Sequence, residues 1–227
     1  MTTAIALSLL TALVAGFAHA LEADHMAAVT AFVSRRPRPA QAFGFGVRWA
    51  VGHSLAILLV GGALIALDVR VPEGLERTLE FGVGLMLVGI GVWLAGGLLH
   101  RGRYGTAHAA AHTEARPHVH PHGHEHDHGG HATTLVGVAH GLAGSGALVA
   151  LVPVVLISSP WLAGGYLVLF GVGTVVAMGV YALVAGYLFH RAGGRYPALG
   201  GVLRGATAAA SIAIGAVWMW TSAVGAA

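Results

Sequence analysis

The sequence predicts an all-α integral membrane protein, with six transmembrane helices forming two inverted three-helix repeats. Three observations carry that expectation. Hydrophobic residues make up 56% of the 227 positions and charged residues only 9%, against about 25% charged in a soluble domain. The apolar residues are gathered into blocks of about 20 or more, the length that spans the hydrocarbon core. A short sequence pattern recurs at one fixed offset in the two halves of the chain.

The first block, about 3–33, opens with MTTAIALSLLTALVAGFAHA. That stretch has the outline of a secretory leader, with Ala18-His19-Ala20 as a cleavage-like site. Its start carries no Lys or Arg, however, and the apolar run continues to Val33, so it reads as a span. Its centre holds His19, Glu22, Asp24 and His25. A charge there costs about 2.5–3.5 kcal/mol on insertion scales and marks function when it is retained. The group therefore reads as an ion-handling site.

On an ideal helix, at about 100° per residue, His19, Glu22 and His25 share an arc of roughly 120°, whereas Asp24 lies about 100° from His25. Four inward ligands do not fit one regular helix. Either the helix breaks at the motif, or one carboxylate serves elsewhere, for instance by holding an imidazole N–H. His19, Asp24 and His25 form the expected core of the site, with Glu22 as ligand or neighbour.

The second block, 43–67, contains His53 within VGHS; it returns beside the first and offers one more imidazole. The third is 79–99. The fourth, 134–157, contains Pro153, which predicts a bend. The fifth, 161–189, is long enough to hold a kink, and the sixth is 199–225. Ten of the twelve basic residues, all Arg, fall in the first, third and fifth connections or at the span ends beside them; only Arg70 and Arg77 fall on the other side. The positive-inside rule then places both termini outside and the odd-numbered connections in the cytoplasm of a cell-membrane protein. His100 and His190, next to Arg101 and Arg191, read as structural groups at helix ends.

The repeat links the halves. Gly16-Phe-Ala-His19-Ala-Leu21 aligns with Gly137-Val-Ala-His140-Gly-Leu142, an offset of 140 − 19 = 121, and the same offset carries Val51-Gly52 onto Val172-Gly173. Each unit has three spans, an odd number, so the second copy must be inverted, as in many secondary transporters. The polar positions have diverged: Glu22, Asp24, His25 and His53 correspond to Ala143, Ser145, Gly146 and Thr174. The second half thus offers His140, Ser145 and Thr174 as further polar groups.

Between the units (1–99 and 134–227) lies a histidine-rich connection, 100–133. His118, His120, His122, His124, His126 and His128 alternate there among Pro117, Pro121 and Gly123. Period two broken by Pro and Gly fits neither a helix face nor a fixed zinc finger. It reads as a disordered metal-buffering loop, able to serve a cytosolic metal-accepting protein.

The residue types set the ion. The chain has no cysteine, which removes thiolate sites. Imidazole with carboxylate suits nickel, cobalt or zinc, whereas copper(I) prefers sulfur and magnesium or calcium prefer oxygen. Dispersed Arg residues and a formal charge of +3 do not suggest a nucleic-acid partner. With no HExxH and no nucleophile paired with a base, the chain does not read as an enzyme. No prosthetic group is expected; the divalent ion is substrate, and the lipid bilayer is the other partner.

His19-Ala-Leu-Glu-Ala-Asp24-His25, an H-x4-D-H pattern in the first span, followed by Gly52-His53-Ser54, resembles the nickel/cobalt transporter family. The six-span layout and VAHGLAGSGAL (138–148) are more similar to its shorter NicO and UreH-like branch. The resemblance implies membrane transport of nickel or cobalt ions. It also implies that His19, Asp24 and His25 handle the metal, with His53 as a second-motif residue. The longer uptake permeases show eight spans and an acidic motif in the second half, where this chain has GLAGSGAL. Uptake is placed ahead of efflux, and a membrane accessory protein that supplies nickel to a metalloenzyme is the remaining alternative.

Overall fold

The computed structural model describes residues 2–35, 38–67, 72–111, 129–143, 157 and 159–225. The described residues form helices and no strands: α1 (Thr2–His19), α2 (Ala23–Val33), α3 (Pro39–Ala66), α4 (Glu73–Ala111), α5 (Gly129–Ala143), α6 (Pro160–Arg195) and α7 (Pro197–Val224). Pro39, Pro160 and Pro197 each open a helix, where the missing N–H costs nothing and the fixed φ favours the first turn. Four helices are long and apolar enough to cross a membrane, and the α1–α2 pair makes a fifth candidate if it counts as one broken span. The chain is a multi-pass, all-helical membrane protein.

The first apolar block is not one helix. α1 stops at His19 and α2 starts at Ala23, with a bend of 57° between them. The break keeps its backbone bonded: Ala20, Leu21 and Glu22 donate to Gly16, Ala18 and His19, and Met26 donates to Glu22. Such satisfaction is what allows non-helical backbone at membrane depth. The fifth block, in contrast, is the single helix α6, so its length is used without a break. Pro153 lies outside the described residues. Around the histidine-rich connection, α4 continues to Ala111 and α5 already begins at Gly129.

Helices cross where glycine removes the side chain. A Cβ at Gly16 of α1 would meet the Phe170 carbonyl of α6, and one at Gly173 of α6 would meet the Leu13 carbonyl of α1. A Cβ at Gly137 of α5 would meet the Trp49 carbonyl of α3, and one at Gly52 of α3 would meet the Thr134 carbonyl of α5. Small residues at such crossings give the close backbone approach on which helix association in lipid depends. α4 and α7 pair through Gly84 and Gly215 in the same way.

The core lies in two main groups. Phe45, Trp49, Met178 and Ala182 pack at the α3–α6 crossing with Val29 and Val33 of α2. Val83, Leu87 and Leu94 of α4 pack with Ala28 and Ala31 of α2 and Ala208 of α7. The short α2 is therefore held on both sides, and the break before it is fixed in position.

Candidate metal centre

Four helices deliver imidazoles to one buried place. His19 ends α1, His25 lies in the first turn of α2, His53 is midway along α3, and His140 is in the last turn of α5. Each is at most 4% exposed, and Asp24 is 5% exposed. The break between α1 and α2 makes this convergence possible, because it frees His19 and His25 from the fixed rotation of a continuous helix.

Three ring nitrogens meet. His53 Nε2 is 3.2 Å from His19 Nε2 and 3.4 Å from His25 Nε2. On its other side, His25 Nδ1 is 2.9 Å from Asp24 Oδ1. An ionised carboxylate only accepts, so His25 Nδ1 carries the proton and His25 Nε2 keeps its lone pair for the cluster. Asp24 Oδ2 accepts a second bond, from His140 Nε2 at 3.1 Å. One carboxylate thus orients two imidazoles from different helices.

The bonding is incomplete without a further partner. The buried Nδ1 atoms of His53 and His140 have no hydrogen-bond partner. A neutral His53 can give its single Nε2 proton to only one of its two neighbours. Two overlapping three-residue groups have the spacing to take a cation: His19, His25 and His53, and Asp24, His25 and His140. His25 belongs to both. The site's formal charge is −1 with neutral imidazoles, and the C-terminal end of α1, with its negative dipole end, adds to that bias. Asp24, near the N-terminus of α2, is stabilised by that helix's positive end.

Glu22 lies at the edge. Its Oε1 is 3.1 Å from His19 Nδ1 with 44% of its side chain exposed; the contact is off the N–H direction, since His19 Nδ1 has no hydrogen-bond partner. Thr174 is buried, but its hydroxyl is shared between the carbonyls of Gly16 and Phe170. It ties α6 to the end of α1. Ser145 and His118, His120, His122, His124, His126 and His128 lie outside the described residues.

Two aromatic walls were not read from the sequence. Trp49 stacks on His53 at 5.3 Å and meets His25 edge-on at 5.4 Å. Phe170 lies 5.4 Å from His19. The signal that could have found them is the repeat itself. Trp49 is one helical turn before His53, and the offset of 121 carries it onto Phe170, one turn before Thr174. Both rings exclude water from the imidazoles.

The urease accessory protein UreH of Bacillus sp. (strain TB-90) is 29% identical to this chain over 186 residues, covering 81% of this chain and 78% of that protein. No family model matches the chain, and no solved structure matches it. The match bears out the UreH-like resemblance carried by the motifs. Its printed role is accessory rather than catalytic, in agreement with reading this chain as a non-enzyme.

Proposed function

We propose that this chain transports nickel or cobalt ions across the cell membrane, in the direction of uptake, with the ion as substrate at the His19, His25 and His53 Nε2 atoms. The observation that carries the reading is the spacing of those atoms. Metal–imidazole bonds of about 2.0–2.1 Å put neighbouring ligand atoms roughly 2.9 Å apart in an octahedron and roughly 3.4 Å apart in a tetrahedron. The separations of 3.2 and 3.4 Å fall in that interval. Asp24 then acts mainly by fixing the His25 tautomer, and with His140 it offers the ion a second position next to the first. Glu22 stands at the solvent side of His19. The imidazole-rich, sulfur-free donor set favours nickel and cobalt over copper(I), magnesium or calcium.

The same reading takes the fold as two inverted three-span units. Its support is reciprocal packing at the 121-residue offset: Gly16 against Phe170 is matched by Gly137 against Trp49, and Gly173 against Leu13 by Gly52 against Thr134. Pro39 and Pro160, which open α3 and α6, obey the same offset. Sites of inverted-repeat transporters lie near the midplane between repeats. Both termini then face outward, and the histidine-rich connection faces the cytosol, where it would buffer metal for an acceptor protein.

A second reading, a membrane accessory protein that hands metal to a metalloenzyme, is favoured by the printed role of the UreH relative. Flux into proteoliposomes separates the two. Wild-type protein should move Ni²⁺ or Co²⁺ in preference to Zn²⁺, and His53→Ala should reduce the flux at least tenfold while inserting normally. Ligand imidazoles must be neutral, so protons should compete with the metal and flux should fall when the binding side is made strongly acidic. Metal binding without any flux would favour the accessory role; equal flux in His53→Ala would remove the site assignment.

A further inference from the structure

Away from the histidine cluster, a cavity of about 400 Å³ opens where the end of α2 meets α4, α6 and α7, and Arg35, Arg204 and His190 line it. No carboxylate is among its lining residues. Among the described residues, neither Arg35 nor Arg204 forms an ion pair with an acid. Arg35 is held against the Trp93 ring, its guanidinium carbon 4.1 Å from the centroid, and Arg204 Nε is buried without a partner. The half-buried Arg204 leaves a buried charged donor unmet, which is costly, and the exposed Arg35 stands on the same acid-free cavity, so the two guanidiniums suit one external counter-charge.

From this geometry we infer that the cavity binds a phosphate group, in the first instance that of an anionic phospholipid. Guanidinium presents forked N–H donors that match phosphate oxygens, and basic pockets between membrane helices are suited to anionic headgroups. Gly97 and Gly193 line the cavity and leave room for a group as large as a phosphate. The cavity lies at the end of the spans that is rich in Arg, with Arg191 and Arg195 following on α6. Leu99, Leu188 and Val202, each one or two positions from a lining residue, are 70%, 58% and 67% exposed and provide apolar surface for acyl chains. A divalent metal ion would be repelled by both arginines, so this cavity is not part of the metal path. The inference depends only on the chain lying in a bilayer and not on what it transports.

The test uses detergent-purified, delipidated full-length protein, with thermal unfolding and native mass spectrometry. The probes are phosphatidylglycerol, phosphatidylcholine and inorganic phosphate. Wild-type protein should retain phosphatidylglycerol over phosphatidylcholine and unfold at higher temperature with it. Loss of one charge-assisted contact should weaken that binding about tenfold or more in Arg204→Gln and in Arg35→Gln, each checked for a monodisperse elution profile. Arg77→Gln, at the other end of the spans, should bind as wild type. Protection by inorganic phosphate alone at millimolar concentration would identify a soluble phosphate as the source and still support the site. Equal retention of both lipids with no effect of phosphate would overturn it. So would undiminished binding in Arg35→Gln, whether or not Arg204→Gln folds.

Discussion

Asp24 is the residue on which the histidine cluster turns, although the atoms nearest one another are imidazole nitrogens. Its two oxygens accept from His25 at 2.9 Å and from His140 at 3.1 Å, so it sets ring orientation in two helices at once. Removing such an outer partner typically costs 10–100-fold in metal affinity. Asp24→Asn keeps the shape but replaces one acceptor oxygen with a donor, which faces an N–H. It should therefore weaken Ni²⁺ binding about 10–100-fold in isothermal titration of the purified protein. Glu22→Gln should change it less than about threefold, because Glu22 is half exposed and misaligned with His19. Equal losses in the two variants would contradict the division of labour between them. The sequence carried part of this distinction. The rotation of Asp24 away from His25 on an ideal helix showed that the four polar groups do not share one face, although the expected core of the site keeps Asp24 with His19 and His25. It could not show that His140 bonds to Asp24, because the repeat pairs His140 with His19 by position, whereas the tertiary crossing of α5 with α3 decides its neighbour.

At the scale of elements, the apolar blocks located α3, α6 and α7 to within about six residues. α4, however, runs from Glu73 to Ala111, well beyond the 79–99 block, because hydropathy does not register the polar ends of a helix. Pro39, Pro160 and Pro197 are start signals that the blocks did not use. The conflict between four polar groups and one helix rotation offered a break at the motif as one of two readings, the other being a carboxylate that serves elsewhere. The continuity of α6 was not legible, because length permits a kink without requiring one. Nor could the sequence say which of its 35 glycines lie at crossings. Gly16→Ala places a methyl on the Phe170 carbonyl, and backbone in a packed helix has little room to yield. Overpacking of this kind costs about 1–3 kcal/mol or more, so Gly16→Ala should lower the unfolding temperature in detergent. Gly137→Ala should do so as well, through the Trp49 carbonyl. Gly62→Ala, with nothing within 4 Å of the new methyl, should be neutral or stabilising by up to about 1 kcal/mol, the helix propensity gained over glycine. A fall in Gly62→Ala as large as in Gly16→Ala would mean that the loss comes from the membrane environment and not from helix crossings.

For the whole molecule, the distribution of arginine carries the expectation of which way the chain lies. Ten Arg residues on one side against two on the other is a strong asymmetry under a rule that counts Lys and Arg near span ends. Under that rule the α3–α4 connection is expected outside and the α2–α3 connection inside. The two sides differ chemically as well: Arg77 pairs loosely with Glu73 at 3.8 Å on an exposed surface, whereas Arg35 is stacked on Trp93 at the other end. The absence of cysteine from the chain makes a direct measurement simple, since a single introduced thiol is the only one to label. Glu73→Cys, at the exposed start of α4, should react with a membrane-impermeant maleimide in intact cells. Arg38→Cys, just before α3, should react only after the membrane is opened. The reverse pattern would invert the chain. It would put the histidine-rich connection outside the cell, where it could not buffer a cytosolic metal, and would leave the metal cluster intact but reverse which end of the α1–α2 break first meets the ion.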